Sequence, residues 1–243
     1  MEYDVIIRNA RIVDGTGAPA YLGDLAVKDG KIAAMTDSSS QGKESTLIGR
    51  AKQEIDGNGR VLTPGFIDPH AHLELLLFLQ PDSAEYVYQG FTTAINGNCG
   101  HSVTPHSSSK VLEYQYRNGL ISTEFRDKME KYQWTNFSTY LQAAQEHGTA
   151  INHGTLLGHG TLRWSVMGGA LDRPPSEEEA ATLKQLVEEG LQQGAVGLST
   201  GLAYIPSRYA KTDEIVALAK VLKEYDSVYA SHIRYQLGIK EAV

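Results

Sequence analysis

The feature that most constrains the fold is an alternation of short apolar strands with longer helical stretches, beginning near residue 61. The strand candidates are Val61–Asp68, Phe91–Asn96, Thr149–Leu157, Ala195–Ser199 and Ser227–His232. The helices between them are well marked. Ser176-Glu-Glu-Glu179 reads as a capping box, and Ala180, Leu183, Leu186, Val187 and Leu191 form an apolar stripe that stops at Gly194. Thr212-Asp-Glu opens another helix, with Thr212 as its N-cap, and Trp134 to His147 forms a third, ended by Gly148. Strands alternating with helices predict a parallel sheet with right-handed crossovers. Residues 100–133 exceed an ordinary connection and suit a lid or a subsidiary helix.

The segment before this alternation is different. Residues 3 to about 61 read as all-β, with Lys28-Asp-Gly30 as a hairpin turn and Ser38 to Ser45 as a polar loop. The expected division is therefore 1–61 and 62–243.

Composition narrows the class. The formal charge is −7, and no basic stripe is present, so nucleic acid is not an expected partner. The longest strongly apolar run, Leu73 to Leu79, is interrupted by Glu74 and is too short to span a bilayer, so no membrane partner is expected. One cysteine excludes an internal disulfide, and Met-Glu-Tyr-Asp is not a signal peptide; both point to the cytoplasm.

In parallel α/β folds the chemistry lies beyond the C-terminal ends of the strands. The first strand here is followed by His70 and His72, two residues apart, which places both imidazoles on one side and lets them share a metal ion. The second is followed by Asn98, Cys99 and Gly100; the third runs into His159 and Arg163. The fourth leads to Ser199, Thr200 and Tyr204, and the fifth to His232 and Arg234. Five strands thus deliver polar or metal-capable groups to one rim.

Each residue taken alone has a plainer reading. Cys99 suits a small buried apolar position, and His232 and His153 suit hydrogen-bonded structural roles. Tyr204 suits a packing aromatic, and Arg163 and Arg234 suit surface or ion-pair positions. His159 suits a residue that orients a ligand. His101, His106 and His147 read as loop or helix-end residues.

Together the motifs resemble the amidohydrolase superfamily, in its N-acyl-D-amino-acid deacylase (D-aminoacylase) branch. The matching stretches are Pro64-Gly-Phe-Ile-Asp-Pro-His-Ala-His72, Gln89-Gly-Phe-Thr-Thr93, Gly97-Asn-Cys-Gly100 with Pro105, Gly158-His-Gly-Thr-Leu-Arg163, Gly197-Leu-Ser-Thr-Gly-Leu-Ala-Tyr204 with Pro206, and Tyr229-Ala-Ser-His-Ile-Arg234. They cover essentially the whole chain. Gly-Asn-Cys-Gly is the most specific, because this branch uses cysteine where most amidohydrolases use a lysine-derived carboxylate.

The resemblance implies an α/β fold: a TIM-like (β/α)8 barrel, incomplete here at about five strands, with part of a small N-terminal β-sandwich. It implies zinc held tightly by Cys99 and His232, and a weaker second site at His70 and His72 that Cys99 also reaches. Tyr204 matches a residue that contacts the substrate carboxylate, and Asp68 and His159 fall where supporting residues would stand. The implied activity is zinc-dependent hydrolysis of N-acyl-D-amino acids. Alternatives are a cyclic-amide hydrolase, such as a hydantoinase, and a non-catalytic remnant or half-chain that self-associates or needs a complementary C-terminal half.

Three departures stand out. Leu73-Glu74 replaces an aspartate soon after the second histidine, and Tyr235-Gln236 replaces a small or polar residue and Glu. The chain ends at Val243, and the resemblance puts the next zinc histidine, the catalytic aspartate, three strands and the rest of the sandwich beyond it.

Overall fold

The computed structural model describes residues 2–38, 49–103, 105–168 and 172–234. The expected loop from residue 39 onward lies outside the described residues, as do Tyr235 and Gln236. Two compact units are present, Met1–Gly65 and Phe66–Val243.

The first unit is one sheet. It contains β1 (Glu2–Ile12), β2 (Tyr21–Lys28), β3 (Lys31–Met35), β4 (Arg50–Asp56) and β5 (Val61–Leu62), in the order β3-β2-β1-β4, with β5 also on β1. β2 and β3 form the expected antiparallel hairpin. Its turn residues, Asp29 and Gly30, have φ of 51° and 71°, the left-handed pair that a tight hairpin turn requires. Ile6, Tyr3 and Ala26 form its small buried core.

The second unit is α/β. It begins with β6 (Phe66–Asp68), α1 (Ala84–Val87), β7 (Phe91–Asn96), α2 (Ser108–Arg117), α3 (Thr123–Met129) and α4 (Phe137–His147). It continues with β8 (Asn152–Thr155), β9 (Leu157–Gly158), α5 (His159–Met167), α6 (Glu177–Gln192), β10 (Gly197–Gly201), α7 (Thr212–Glu224) and β11 (Val228–His232). All strand pairs are parallel, in two sheets, β6-β7-β8 and β9-β10-β11.

Two expected strands are divided. Val61–Asp68 breaks at Thr63-Pro64-Gly65, where proline removes a ladder donor; β5 pairs in the first unit and β6 in the second. Thr149–Leu157 starts late, at Asn152, and breaks at Leu156, whose N–H donates to Asn96 O at 2.9 Å. That residue passes the chain from the partner of β7 to the partner of β10. The stretch 100–133 contains α2 and α3.

The helices form where the local chemistry stops the backbone competing with water. Ser176 and Glu179 make the reciprocal capping box of α6. Leu183, Val187 and Leu191 of α6 pack with Leu218 and Leu222 of α7 against Leu157 and Leu198. Each such leucine, fully buried, contributes roughly 2 kcal/mol. Two helix starts differ from expectation. α4 begins at Phe137, after an Asn136–Thr139 capping box, and Trp134 is buried ahead of it. α7 has Lys211 at its N-cap with no side-chain cap, and Thr212 is its first helical residue. No helix among the described residues is long and apolar enough to cross a membrane.

Candidate metal centre

The first pair of site residues follows β6. The Asp68 carboxylate accepts from the His70 N–H at 3.0 Å and from the Tyr86 hydroxyl at 3.0 Å. It therefore shapes the backbone of the strand end and touches no imidazole ring in these contacts. Ala71 N–H donates to Ile95 O, and its side chain is buried, so the exposed His70 and His72 flank it on the other side. The two rings meet edge to face, 5.5 Å between centroids. The strand-like alternation thus continues past the last paired residue of β6.

Cys99 sits in the Gly-Asn-Cys-Gly turn after β7, with φ 55°. The Asn98 amide ties this turn down by donating to Ile95 O and Pro69 O. Gly100 N–H donates to Ser199 Oγ at 3.0 Å. A Cβ on Gly201 would lie 1.9 Å from Cys99 O, so the close approach of β10 to the cysteine turn requires glycine there. Opposite Gly201, across β11, is His232.

These elements bring the sulfur among imidazoles. Cys99 Sγ lies 3.2 Å from His70 Nε2 and 3.6 Å from His232 Nδ1. Ligand atoms of His70, His72 and Cys99 all fall within 4.8 Å of one another. A sulfur and a nitrogen sharing a tetrahedral zinc sit roughly 3.6 Å apart, given the usual bond lengths. Thiolate with imidazole is also a donor set that zinc favours. The residues present therefore fit the metal.

The electrostatics fit as well. Burial, then the nearby Glu74 carboxylate, pushes the Cys99 thiol above its ordinary pKa. Burial, then the His70 charge, pushes His72 below its own. A cation would reverse the penalty on the thiolate.

The centre borders a cavity of about 790 Å³. His72, Cys99, His101, Tyr204 and Arg208 line it, together with the apolar Leu75, Leu76, Leu120, Ile121 and Phe125. The exposed Tyr204 ring packs against His232 at 4.7 Å and His101 at 5.6 Å.

Two cavity residues went unsuspected in the sequence. His101 is not a simple loop residue: its Nδ1 meets the Tyr114 hydroxyl at 3.0 Å, and burial, then His72 and His232, drive its pKa down to about 4. Glu74 is 4% exposed, burial drives its pKa up to about 7, and its Oε2 has no partner among the described residues. Both follow a ligand candidate at a spacing of two, the same signal that marks His70 and His72.

His159 is placed elsewhere. Its hydrogen bonds go to Ser207 and Glu214. Arg163 is no surface residue; it is fully buried and pairs with Glu214 through both carboxylate oxygens. Arg234 donates to the carbonyls of Arg208 and Ala210. His153 meets the Asn96 amide at 3.0 Å, as a structural histidine would.

The described residues thus gather one thiol and several imidazoles at the ends of parallel strands, beside a cavity, a donor set suited to a divalent metal. The chain belongs to the amidohydrolase family, whose model matches residues 53–239. It is 33% identical to D-aminoacylase of Alcaligenes xylosoxydans xylosoxydans, over 96% of this chain and 44% of that protein. It is 36% identical to N-acyl-D-aspartate deacylase of the same organism, over 95% of this chain and 43% of that one. The structure of N-acyl-D-glutamate deacylase from Bordetella bronchiseptica, complexed with zinc and a phosphonate mimic of the tetrahedral intermediate, superposes with a TM-score of 0.79. That likeness has 31% identity and covers 96% of this chain and 46% of the other. The chain spans less than half the length of these relatives.

Proposed function

We propose that the protein carrying this chain is a zinc-dependent hydrolase of the amide bond of N-acyl-D-amino acids. The observation that carries this reading is Cys99 Sγ, which lines a cavity, within 3.6 Å of His232 Nδ1, in an amidohydrolase chain.

In this reading β6, β7, the divided strand β8–β9, β10 and β11 are five consecutive staves of a (β/α)8 barrel, and the first unit is part of a β-sandwich. Cys99 and His232 hold the tightly bound zinc. His70 and His72 form the weaker site, which Cys99 also reaches. Zinc, when bound, supplies a Lewis acid that polarises the amide carbonyl and activates water.

The chain's own residues orient the substrate. Tyr204, held by the rings of His101 and His232, receives the substrate carboxylate through its hydroxyl. The leucines at 75, 76 and 120, with Ile121 and Phe125, give the cavity an apolar lining that disfavours water. Fixing the carboxylate at Tyr204 and the carbonyl at the metal centre leaves one direction for the side chain, which selects one enantiomer. The third protein ligand to the tight zinc and the general base come from outside the described residues.

The test is a substrate panel assayed with the zinc-loaded protein carrying this chain. N-acyl-D-amino acids are expected to be hydrolysed and their L-enantiomers spared. Cleavage of hydantoins with no action on the D-amides would replace this reading with a cyclic-amide hydrolase.

A further inference from the structure

We infer that a buried polar chain, Arg163–Glu214–His159–Ser207, is a positioning device for the turn that presents Tyr204. The step from turn to substrate rests on the reading of Tyr204 proposed above.

The chain is continuous and directed. Arg163 Nη1 reaches the two Glu214 carboxylate oxygens at 2.7 and 2.6 Å. Glu214 Oε1 lies 2.8 Å from His159 Nε2, and His159 Nδ1 lies 2.9 Å from Ser207 Oγ. Burial raises the Glu214 pKa, but the hydrogen bonds of His159 and Arg163 and the Arg163 charge outweigh it, so the carboxylate stays ionised. An ionised acceptor fixes the tautomer: Nε2 carries the hydrogen and donates to Glu214, and Nδ1 accepts from the Ser207 hydroxyl.

Serine, histidine and glutamate in this order resemble a nucleophilic triad. Burial rules that out. His159 is 0% exposed and Ser207 2%, and neither lines the cavity, so no substrate carbonyl reaches the hydroxyl.

What the chain does reach is the turn between β10 and α7. Ser207 begins a 3-10 turn, Ser207–Tyr209, three residues after Tyr204. Arg208 N–H donates to Tyr204 O at 2.7 Å, and Ala210 N–H to Ser207 O. Arg234 holds the same turn by donating to the carbonyls of Arg208 and Ala210. A buried ion pair is a poor source of stability compared with apolar packing. Its gain here is placement: α5 and α7, which carry it, grip the turn from behind while Tyr204 faces the cavity.

The test uses Ser207→Ala, which deletes one hydroxyl, with Ser207→Thr as the conservative variant and Glu214→Gln as a second route. Hydrogen exchange of the Tyr204, Arg208 and Ala210 amides in the protein carrying this chain is read first. Ser207→Ala is expected to speed it on the order of tenfold, with α6 unchanged, and Ser207→Thr to restore it. Glu214→Gln is expected to give the same local signature. Unaltered exchange in the turn for Ser207→Ala and Glu214→Gln overturns the inference. Turnover is read second, on N-acyl-D-amino acids in the protein carrying this chain: KM rises about tenfold while kcat holds, as loss of uniform binding requires. Faster exchange with an unmoved KM leaves the brace standing and removes Tyr204 from substrate binding.

Discussion

Cys99 is where the chemistry converges, because three imidazoles approach one sulfur and no other thiol exists in the chain. Losing an outer partner of a metal ligand typically costs 10–100-fold in affinity, so deleting the sulfur itself should cost at least about 100-fold. Cys99→Ala is therefore expected to leave almost no zinc on the protein after gel filtration, by elemental analysis, with its far-ultraviolet spectrum unchanged. Retained metal would remove Cys99 from the ligand set. The same residue illustrates what single positions reveal in a sequence. A lone cysteine is ambiguous, and it becomes informative here through its place after a strand end and within the Gly97-Asn-Cys-Gly100 motif that carries the resemblance. Gly201 is the counterpart that the sequence left unexplained, since only the fold shows its hydrogen facing Cys99 O.

At the scale of elements, α5 and α7 are joined by the buried His159–Glu214–Arg163 contact, and that joint makes stability depend on pH. Burial, opposed by Glu214, holds His159 below its ordinary value of 6.5. The unfolded chain therefore takes up this proton first as pH falls. Stability from the neutral imidazole is complete above about 6.5 and is lost as pH drops below it, by up to about 1.4 kcal/mol per pH unit for one proton. Glu214, held low, adds loss of the same sign below its ordinary 4.5. Denaturant midpoints of metal-free protein from pH 7.5 to 5 should fall, and His159→Gln should flatten that fall. An identical slope in the variant would show that His159 does not titrate differently on folding. None of this joint was legible in the sequence. Periodicity marks strand ends and helix faces, and so found His159 and the α6 stripe, but Glu214 is 55 residues from His159 and on another helix. The α7 start was misread for a related reason. Thr212 looks like a cap, yet it enters the helix, and tertiary packing of Leu218 and Leu222 stabilises the helix without one.

At the scale of the whole molecule, the parallel strands of the second unit leave β6 and β11 each with a single partner among the described strands, as β8 and β9 also have where the two sheets divide at Leu156. A closed barrel has no such edges, and an open run has two. The side chains there are not protective. Phe66 and Ile67 on β6 are 52% and 62% exposed, and Val228 and Tyr229 on β11 are 57% and 42% exposed. Proteins usually guard an edge with lysine, proline or a bulge inside the strand; neither β6 nor β11 contains lysine or proline, and β6 has only a register shift against β7 between Phe66 and Ile67. The 243-residue chain by itself is therefore expected to associate in solution at micromolar concentration, through strand edges and the apolar surface beside them. Sedimentation velocity checks this directly, with Ile67→Lys as the probe, because a charge on the edge opposes pairing while leaving the buried clusters untouched. A monodisperse monomer for the unmodified chain would mean that these edges are already covered. Association that Ile67→Lys leaves unchanged would move the contact away from β6.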